Sequence, residues 1–330
     1  MIVAEKKEIE KSESCFDYQD LKGITRYSIY PSGVMKDCNL DEYNQIRVGE
    51  NLFVPRYRKM DERKKDNKTM SFYESGKIKS IALEERSEVE TSVGTVTAEL
   101  ITFYEDGAID SIFPVNGQIG FGWSMEDEEK LLEEMDFSFP FGEFQTKVIG
   151  LRFFADGSLK SMILWPGRQM ELDTPIGRQP VRIGFRLYES GAIESFEPAV
   201  PISIQTPVGM IMAFDQHAVG VDADFNSVRF YPDGTLQSLC TNSDIVINCP
   251  STKEHTVFYQ QLRLDMLTDE MVKLPITVSF QEDLVTLDNG AEKRTFSIGE
   301  AKFLFLHDGY YAEKKCSPGS DCSGCGASCM

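Results

Sequence analysis

Apolar and polar residues alternate along much of the chain with a period of two, the spacing of a strand that buries one face. Between Val200 and Gln205, for example, the apolar positions are Val200, Ile202 and Ile204. These runs are broken by one recurring string, aromatic-aromatic-x-Asp/Ser-Gly-x-aliphatic, as in SFYESGKIKS around Gly76, TFYEDGAIDS around Gly107 and RLYESGAIES around Gly191. Further copies surround Gly33, Gly157 and Gly234, and a worn one, LFLHDGYYAE, surrounds Gly309. Short alternating runs with a regular turn signal predict an all-β fold, an array of antiparallel β-hairpins stacked as a meander into an elongated or curved sheet. A β-propeller is the alternative, since units of roughly forty residues suit blades. The 31 residues from Gly76 to Gly107 and the 34 from Gly157 to Gly191 are short for four strands and a connection, which favours the open array.

The string also predicts its turn. A two-residue loop at Asp106-Gly107 would set Phe103 opposite Asp110 and mix the two faces. A three-residue loop Glu105-Asp106-Gly107, a type I turn closed by a left-handed glycine in a G1 bulge, pairs Phe103 with Ile109 and Ile101 with Ser111. Pro31 and Pro232 fall at the second turn position, where a fixed φ suits type I. Four residues after the glycine come Ser80, Ser111, Ser161, Ser195 and Ser238. The chain holds three histidines, His217, His255 and His307, and none accompanies these serines. The serines therefore read as small residues that let hairpins stack, their hydroxyls bonded to backbone, rather than as nucleophiles.

A second turn string alternates with the first: Thr91-Ser92-Val93-Gly94, Thr174-Pro175-Ile176-Gly177 and Thr206-Pro207-Val208-Gly209, with Phe139-Pro140-Phe141-Gly142 as a weaker form. The segment SMEDEEKLLEEMDF predicts one helix over about residues 124–136. Ser124 is its N-cap, Asp127 stands at the capping-box position, and Leu131, Leu132 and Met135 share a side. Asn289-Gly290 signals a further hairpin. The expected organisation is an N-terminal extension, partly flexible, over 1–20, the hairpin array over 21–312, and a cysteine-rich tail over 313–330.

The aromatic-aromatic-x-Asp/Asn-Gly-x-aliphatic core resembles the variant MORN repeats of bacterial proteins, some of them labelled antitoxin-like. The likeness covers about ten residues per copy, and the spacing between copies is longer and less regular here. It implies stacked hairpins in an elongated sheet and carries no function with it.

Charge narrows the partners. Thirty-four basic residues face 53 acidic ones, a net charge of −19, which repels phosphate backbones and anionic membranes, so neither nucleic acid nor membrane is expected and a protein partner is. The run from Arg56 to Lys68 is locally basic and reads as a solvated loop, with an anion-binding arm as the alternative. The opening residues MIVAEKKEIEKSES lack the pattern of a secretory signal, no stretch has the apolar length of a membrane span, and a cytoplasmic location is expected.

Chemistry concentrates in the tail. Cys316, Cys322, Cys325 and Cys329 have the spacing C-x5-C-x2-C-x3-C, separated by Gly, Ser and Pro. Flexible short spacers let four thiolates converge on zinc or an iron-sulfur cluster. Thiol redox or disulfide chemistry and an incidental or processed tail are the competing readings. The acidic turn residues Asp106, Asp156, Asp233 and Asp308 lack calcium-loop spacing and read as turn formers, while Trp123 and Trp165 read as packing residues. With no P-loop, dinucleotide fingerprint or HExxH string, the sequence points to a non-enzymatic interaction or scaffold protein with a metal-binding tail. A metal-handling or thiol-redox factor working through that tail is the second reading, and an enzyme with a pocket between repeats the third.

Overall fold

The structure, a computed structural model, describes residues 20–58, 63, 68–117, 119–120, 122–219, 226–251, 254–265 and 269–307. They fall into two compact units, within the bounds Met1–Ile202 with His217–Leu239 and Ser203–Gln216 with Cys240–Met330.

The first unit is built on an antiparallel meander. Its strands follow in chain order as Ile24–Ile29, Met35–Leu40, Met70–Phe72, Ile78–Thr91, Gly94–Phe103, Ile109–Phe113, Val148–Phe153, Leu159–Leu164, Gly177–Leu187, Ile193–Pro198, Val228–Phe230 and Leu236–Thr241. The path does not return to its first strand, so the open array is what forms and the propeller is not. Six signature hairpins supply these strands in pairs. In each, the glycine N–H donates to the carbonyl of the second aromatic position three residues back, at 2.9–3.0 Å, as Gly107 does to Tyr104. Gly33, Gly76, Gly107, Gly157, Gly191 and Gly234 have φ between +80 and +95, the left-handed region that the expected turn requires. Gly309 lies outside the described residues.

Register agrees at the turn and departs one step beyond it. Phe103 pairs with Ile109 as expected, but Thr102, not Ile101, stands opposite Ser111, and Ile101 pairs with Ile112. Asp110 is an extra residue, a bulge, and the same slip recurs at Lys36, Lys79, Lys160, Glu194 and Gln237. A bulge lets residues three apart share a face, which strict alternation forbids. Ile78 with Ile81, Leu159 with Met162 and Ile193 with Phe196 are accordingly all buried, and the serine between them turns to the other face.

The two aromatics of the string divide the work. The first, as in Phe72, Phe103, Phe153 and Phe230, is fully buried or nearly so. The second crosses to the next hairpin: Tyr30 OH donates to Phe72 O at 3.0 Å, Tyr73 to Phe103 O at 2.7 Å, Tyr104 to Phe153 O at 2.8 Å and Tyr188 to Phe230 O at 2.7 Å. Phe154, at the same position in its hairpin, has no hydroxyl with which to continue this ladder.

The second turn string does not simply mark the far end of the meander. Within the first unit, each of the four intervals between Gly33 and Gly191 holds another hairpin that folds back across the sheet. In Ile78–Thr91 the corner is at residues 83–86, all of which oppose Glu99 alone. In Gly177–Leu187 the corner is at Ile183 (φ +63) and Gly184 (φ +150), where the strand changes partner from Gln169–Thr174 to Leu159–Leu164. Separate hairpins Ile46–Val48 with Asn51–Phe53 and Met135–Phe139 with Gly142–Thr146 fill other intervals. Phe53 lies 6.2 Å from Phe103, and Phe139 and Phe141 lie 6.1 and 5.4 Å from Phe185, so the inserted hairpins bury the core side of the meander. They also join one another, Glu84 N–H to Val54 O at 2.9 Å and Asp173 N–H to Phe141 O at 3.2 Å. The intervals of 31 and 34 residues are the two in which a bent strand serves both layers and no linker is needed.

The expected helix is real but short. It spans Met125–Glu129, with Ser124 as N-cap and the capping box to Asp127 in place. It stops well before residue 136. Continuation would put Glu133 and Glu134 at the negative end of the helix dipole without a basic residue in the last turn. Leu132 instead packs with Val115 and Trp165, with Leu131 beside them, and Met135 begins a strand rather than completing a helical face. The edge strand Ile24–Ile29 is irregular, with Arg26 at φ +44 and its carbonyl held by Lys68 Nζ, features that discourage edge-to-edge pairing.

In the second unit Ser243–Cys249 lies between Glu254–Phe258 and Lys302–His307, and Ile276–Gln281, Leu284–Asp288 and Lys293–Ser297 form a small meander. The Asn289-Gly290 hairpin is present with a four-residue loop, because Asn289 Oδ1 accepts from the N–H groups of Ala291 and Glu292 at 3.1 and 2.9 Å. No helix among the described residues is long and apolar enough to cross a membrane.

Candidate functional site

The bulges give the first unit an outer face with its own order. Cross-strand partners run without a gap as Asp37, Ser71, Ser80, Thr102, Ser111, Arg152, Ser161, Arg186, Ser195, Arg229 and Ser238. Hydroxyl and carboxylate groups fill its first part, and arginine alternates with serine in the rest. Ser161 and Ser195 are 1% and 0% exposed because an arginine flanks each on both neighbouring strands. Four of these serine hydroxyls bond side chains rather than backbone: Ser71 Oγ and Ser80 Oγ are 2.5 Å apart, Ser111 Oγ donates to Asp110 at 3.0 Å, and Asn226 donates to Ser195 Oγ at 3.0 Å, while Ser161 Oγ is buried without a hydrogen-bond partner among the described residues.

The bulge residues set the charge of this row. Glu194 accepts from Arg186 Nε and Arg229 at 2.6 Å each and so links three strands. Lys36, Lys79 and Lys160 instead lie over the rings of Tyr30, Tyr73 and Phe154 at 5.5–5.8 Å. Burial raises the phenols of Tyr73, Tyr104 and Tyr188 above their ordinary pKa. They are hydrogen-bond donors at neutral pH.

Buried carboxylates hold the loops. Arg63 makes two-pronged contacts with Glu99 (2.7 and 2.6 Å) and Glu128 (2.8 and 2.9 Å), and Trp123 Nε1 donates to Glu128 at 2.7 Å. Asn116 N–H completes Glu99 and Gly117 N–H completes Glu128. Glu197, fully buried, accepts from Ser227 N–H at 2.8 Å, and Glu84 accepts from Tyr57 and Arg58 N–H. The basic run is therefore not a freely solvated loop over its described residues. Arg56 is buried, Arg58 and Arg63 pair with glutamates, and Lys68 approaches Asp37 at 3.3 Å. The charges that made this run stand out are used to fasten it.

Cavities open among the described residues of the first unit. One of about 470 Å³ is lined by Arg86, Glu88, Thr97, Glu133, Glu134 and Asp136 among others. Another, of about 730 Å³, lies between Thr91-Ser92 and the Gly157 turn. Neither is lined by His217 or His255. Asp106, Asp156 and Asp233 each accept from the N–H two residues on, at 2.9–3.0 Å, which makes them turn formers; Asp308 lies outside the described residues. Trp123 is a packing residue that also donates a hydrogen bond, and Trp165 is buried beside Leu132.

Cys316, Cys322, Cys325 and Cys329 lie outside the described residues, and among the described ones no group of three or more His, Cys, Asp or Glu is arranged to hold a metal ion. Cys38 is fully buried and its thiol is pushed up to about 12, chiefly by desolvation, so it is protonated and unreactive at neutral pH. The polar row was missed in the sequence because its members, five residues before and four after each glycine, fall into line only once the bulge is counted. Comparison with known proteins supplies no family for the chain: no family model, no curated protein and no solved structure matches it.

Proposed function

We propose that this protein is a non-enzymatic scaffold that binds a protein partner on the outer face of its hairpin array. The observation that carries the reading is the uninterrupted polar row across the sheet, in which partly exposed arginines, Arg152, Arg186 and Arg229, recur on every second strand, roughly 10 Å apart, over buried serines. Such a surface offers area and periodicity rather than a dry pocket, which suits recognition over catalysis. The buried carboxylates Glu84, Glu99, Glu128 and Glu197 support the same view, since each spends hydrogen bonds on fastening a loop.

The tail adds a second element to the proposal. Cys316, Cys322, Cys325 and Cys329 would hold one zinc ion or an iron-sulfur cluster through four thiolates. If the tail is instead the working part, the chain is a metal-handling or thiol-redox factor with the array as its platform. Cross-linking of the full-length protein in extract of its source cells separates these. Arg152→Ser, Arg186→Ser and Arg229→Ser together copy the first part of the row and are expected to abolish partner cross-links, whereas deletion of 316–330 leaves them intact. Loss on tail deletion with none on the arginine changes would replace the scaffold reading with the tail reading. Protein purified without oxygen should contain stoichiometric metal that Cys325→Ser removes, with visible charge-transfer absorption if the metal is a cluster; metal-free wild type would sink this part.

A further inference from the structure

The inserted hairpins present one turn in two settings. In Thr91-Ser92-Val93-Gly94 and Thr174-Pro175-Ile176-Gly177 the threonine hydroxyl donates to the glycine carbonyl at 2.7 and 2.6 Å and accepts the N–H of the third residue at 3.2 and 3.3 Å. The turns are the same, and each folds back over the signature hairpins that follow it in the chain.

The residue at the second position differs, and so does what lies beneath. A Cβ built on Gly234 would sit 3.6 and 3.7 Å from Cβ and Cγ of Pro175, so the proline ring covers that turn. Ser92 occupies the corresponding place, and a Cβ on the matching Gly157 would meet nothing described within 4 Å. The space left open is the groove of about 730 Å³, floored by Ala108, Ile109, Phe153 and Ala155. Ile109 is only half-buried, whereas Ile193, its counterpart in the hairpin after the Pro175 turn, is 6% exposed.

We propose that this groove docks an extended segment of a partner protein bearing a proline next to basic residues, the proline ring taking from outside the place that Pro175 takes from within the chain. Charge selects the flanking residues. Glu90 and Asp156 stand at the rim, and the N–H and hydroxyl of Ser158 hold the Asp156 carboxyl below its ordinary pKa, so it is anionic at neutral pH. The chain as a whole, at −19, repels an acidic segment. The inference rests on the scaffold reading and names the chemistry of one partner element.

The test is an NMR titration of isotopically labelled full-length protein with the blocked peptide Arg-Pro-Arg. Saturable shifts are expected at the amides of Ala108, Ile109 and Ala155. Replacing the peptide's proline by alanine or its arginines by glutamate should weaken binding by about tenfold or more. Ser92→Pro fills the groove from within; Pro175 and Pro207 already occupy this turn position, so the change suits the fold, and it is expected to abolish the shifts. Absence of saturable shifts in the wild type, or shifts that persist in S92P, overturns the proposal. Partner cross-links sensitive to the arginine row but unaffected by S92P would leave the scaffold reading standing and remove the groove from it. A saturable, S92P-sensitive peptide site without such cross-links would do the reverse.

Discussion

The tyrosine ladder makes a quantitative claim about what couples one hairpin to the next. Tyr73, Tyr104 and Tyr188 each place a half-buried hydroxyl 2.7–2.8 Å from a carbonyl of the following hairpin. Tyr→Phe at any one removes that hydrogen bond while keeping the ring, so the expected loss is the net worth of a hydrogen bond, about 1 kcal/mol. The three sites are separated by at least two strands, roughly 10 Å, and donate to different carbonyls, so the triple variant should lose about 2–3 kcal/mol. Phe154→Tyr is the complementary change: it supplies the missing rung toward Leu187 and should gain up to about 1 kcal/mol. Urea unfolding followed by tryptophan fluorescence reads the first unit directly, since Trp123 and Trp165 both belong to it. The phenols also predict a pH dependence. Their folded pKa values lie above the ordinary 10, so the unfolded chain ionises first. Their contribution is complete below about pH 10 and is lost as pH rises through the folded values, and the triple variant should flatten that alkaline decline. Unfolding midpoints of Y104F and of the triple variant indistinguishable from wild type would show that the hydroxyls couple nothing and that ring packing alone joins the hairpins.

Other expectations follow from single residues. Gly184→Ala would drive a Cβ into Met162 O at a strand corner and should cost about 4 kcal/mol or more, visible as loss of cooperative unfolding. Gly107→Ala, with open space around it, bears only the strain of its φ of +95, about 1–2 kcal/mol by the same assay. Arg63→Met leaves Glu99 and Glu128 facing each other without their cation and should destabilise the first unit by about 3–5 kcal/mol, with Glu99→Gln and Glu128→Gln restoring part of it; an unchanged midpoint would contradict the clamp. Cys38, buried and protonated, should resist iodoacetamide at pH 8 in the native protein and label on unfolding, as mass spectrometry of its peptide would show.

Local chemistry made much of this fold legible. The turn at Gly107 could be derived from the string itself, because only a three-residue loop keeps Phe103 and Ile109 together and only glycine takes the closing φ at no cost. The N-cap and capping box at Ser124 and Asp127 were equally local. The end of that helix was not, because Leu131 and Leu132 have a better place against Val115 and Trp165, residues remote in the chain. Register past the turn failed for a related reason. A bulge changes which residues share a face, and whether Asp110 is accommodated as an extra residue depends on the strand opposite and on Tyr104 beside it. The basic run shows the same limit with charge: Arg56 to Lys68 is an outlier in composition, and only the folded chain brings Glu84, Glu99 and Glu128 to meet it. The sequence by itself determined the all-β class, the hairpin and its turn, since these depend on neighbours a few residues apart. The tertiary structure decided that the second set of hairpins folds back as a covering layer, that hydroxyls and arginines line up across the outer face, and that Ser92 leaves open what Pro175 closes. Each of these depends on contacts between residues tens of positions apart, which only the register and bending of the strands bring together.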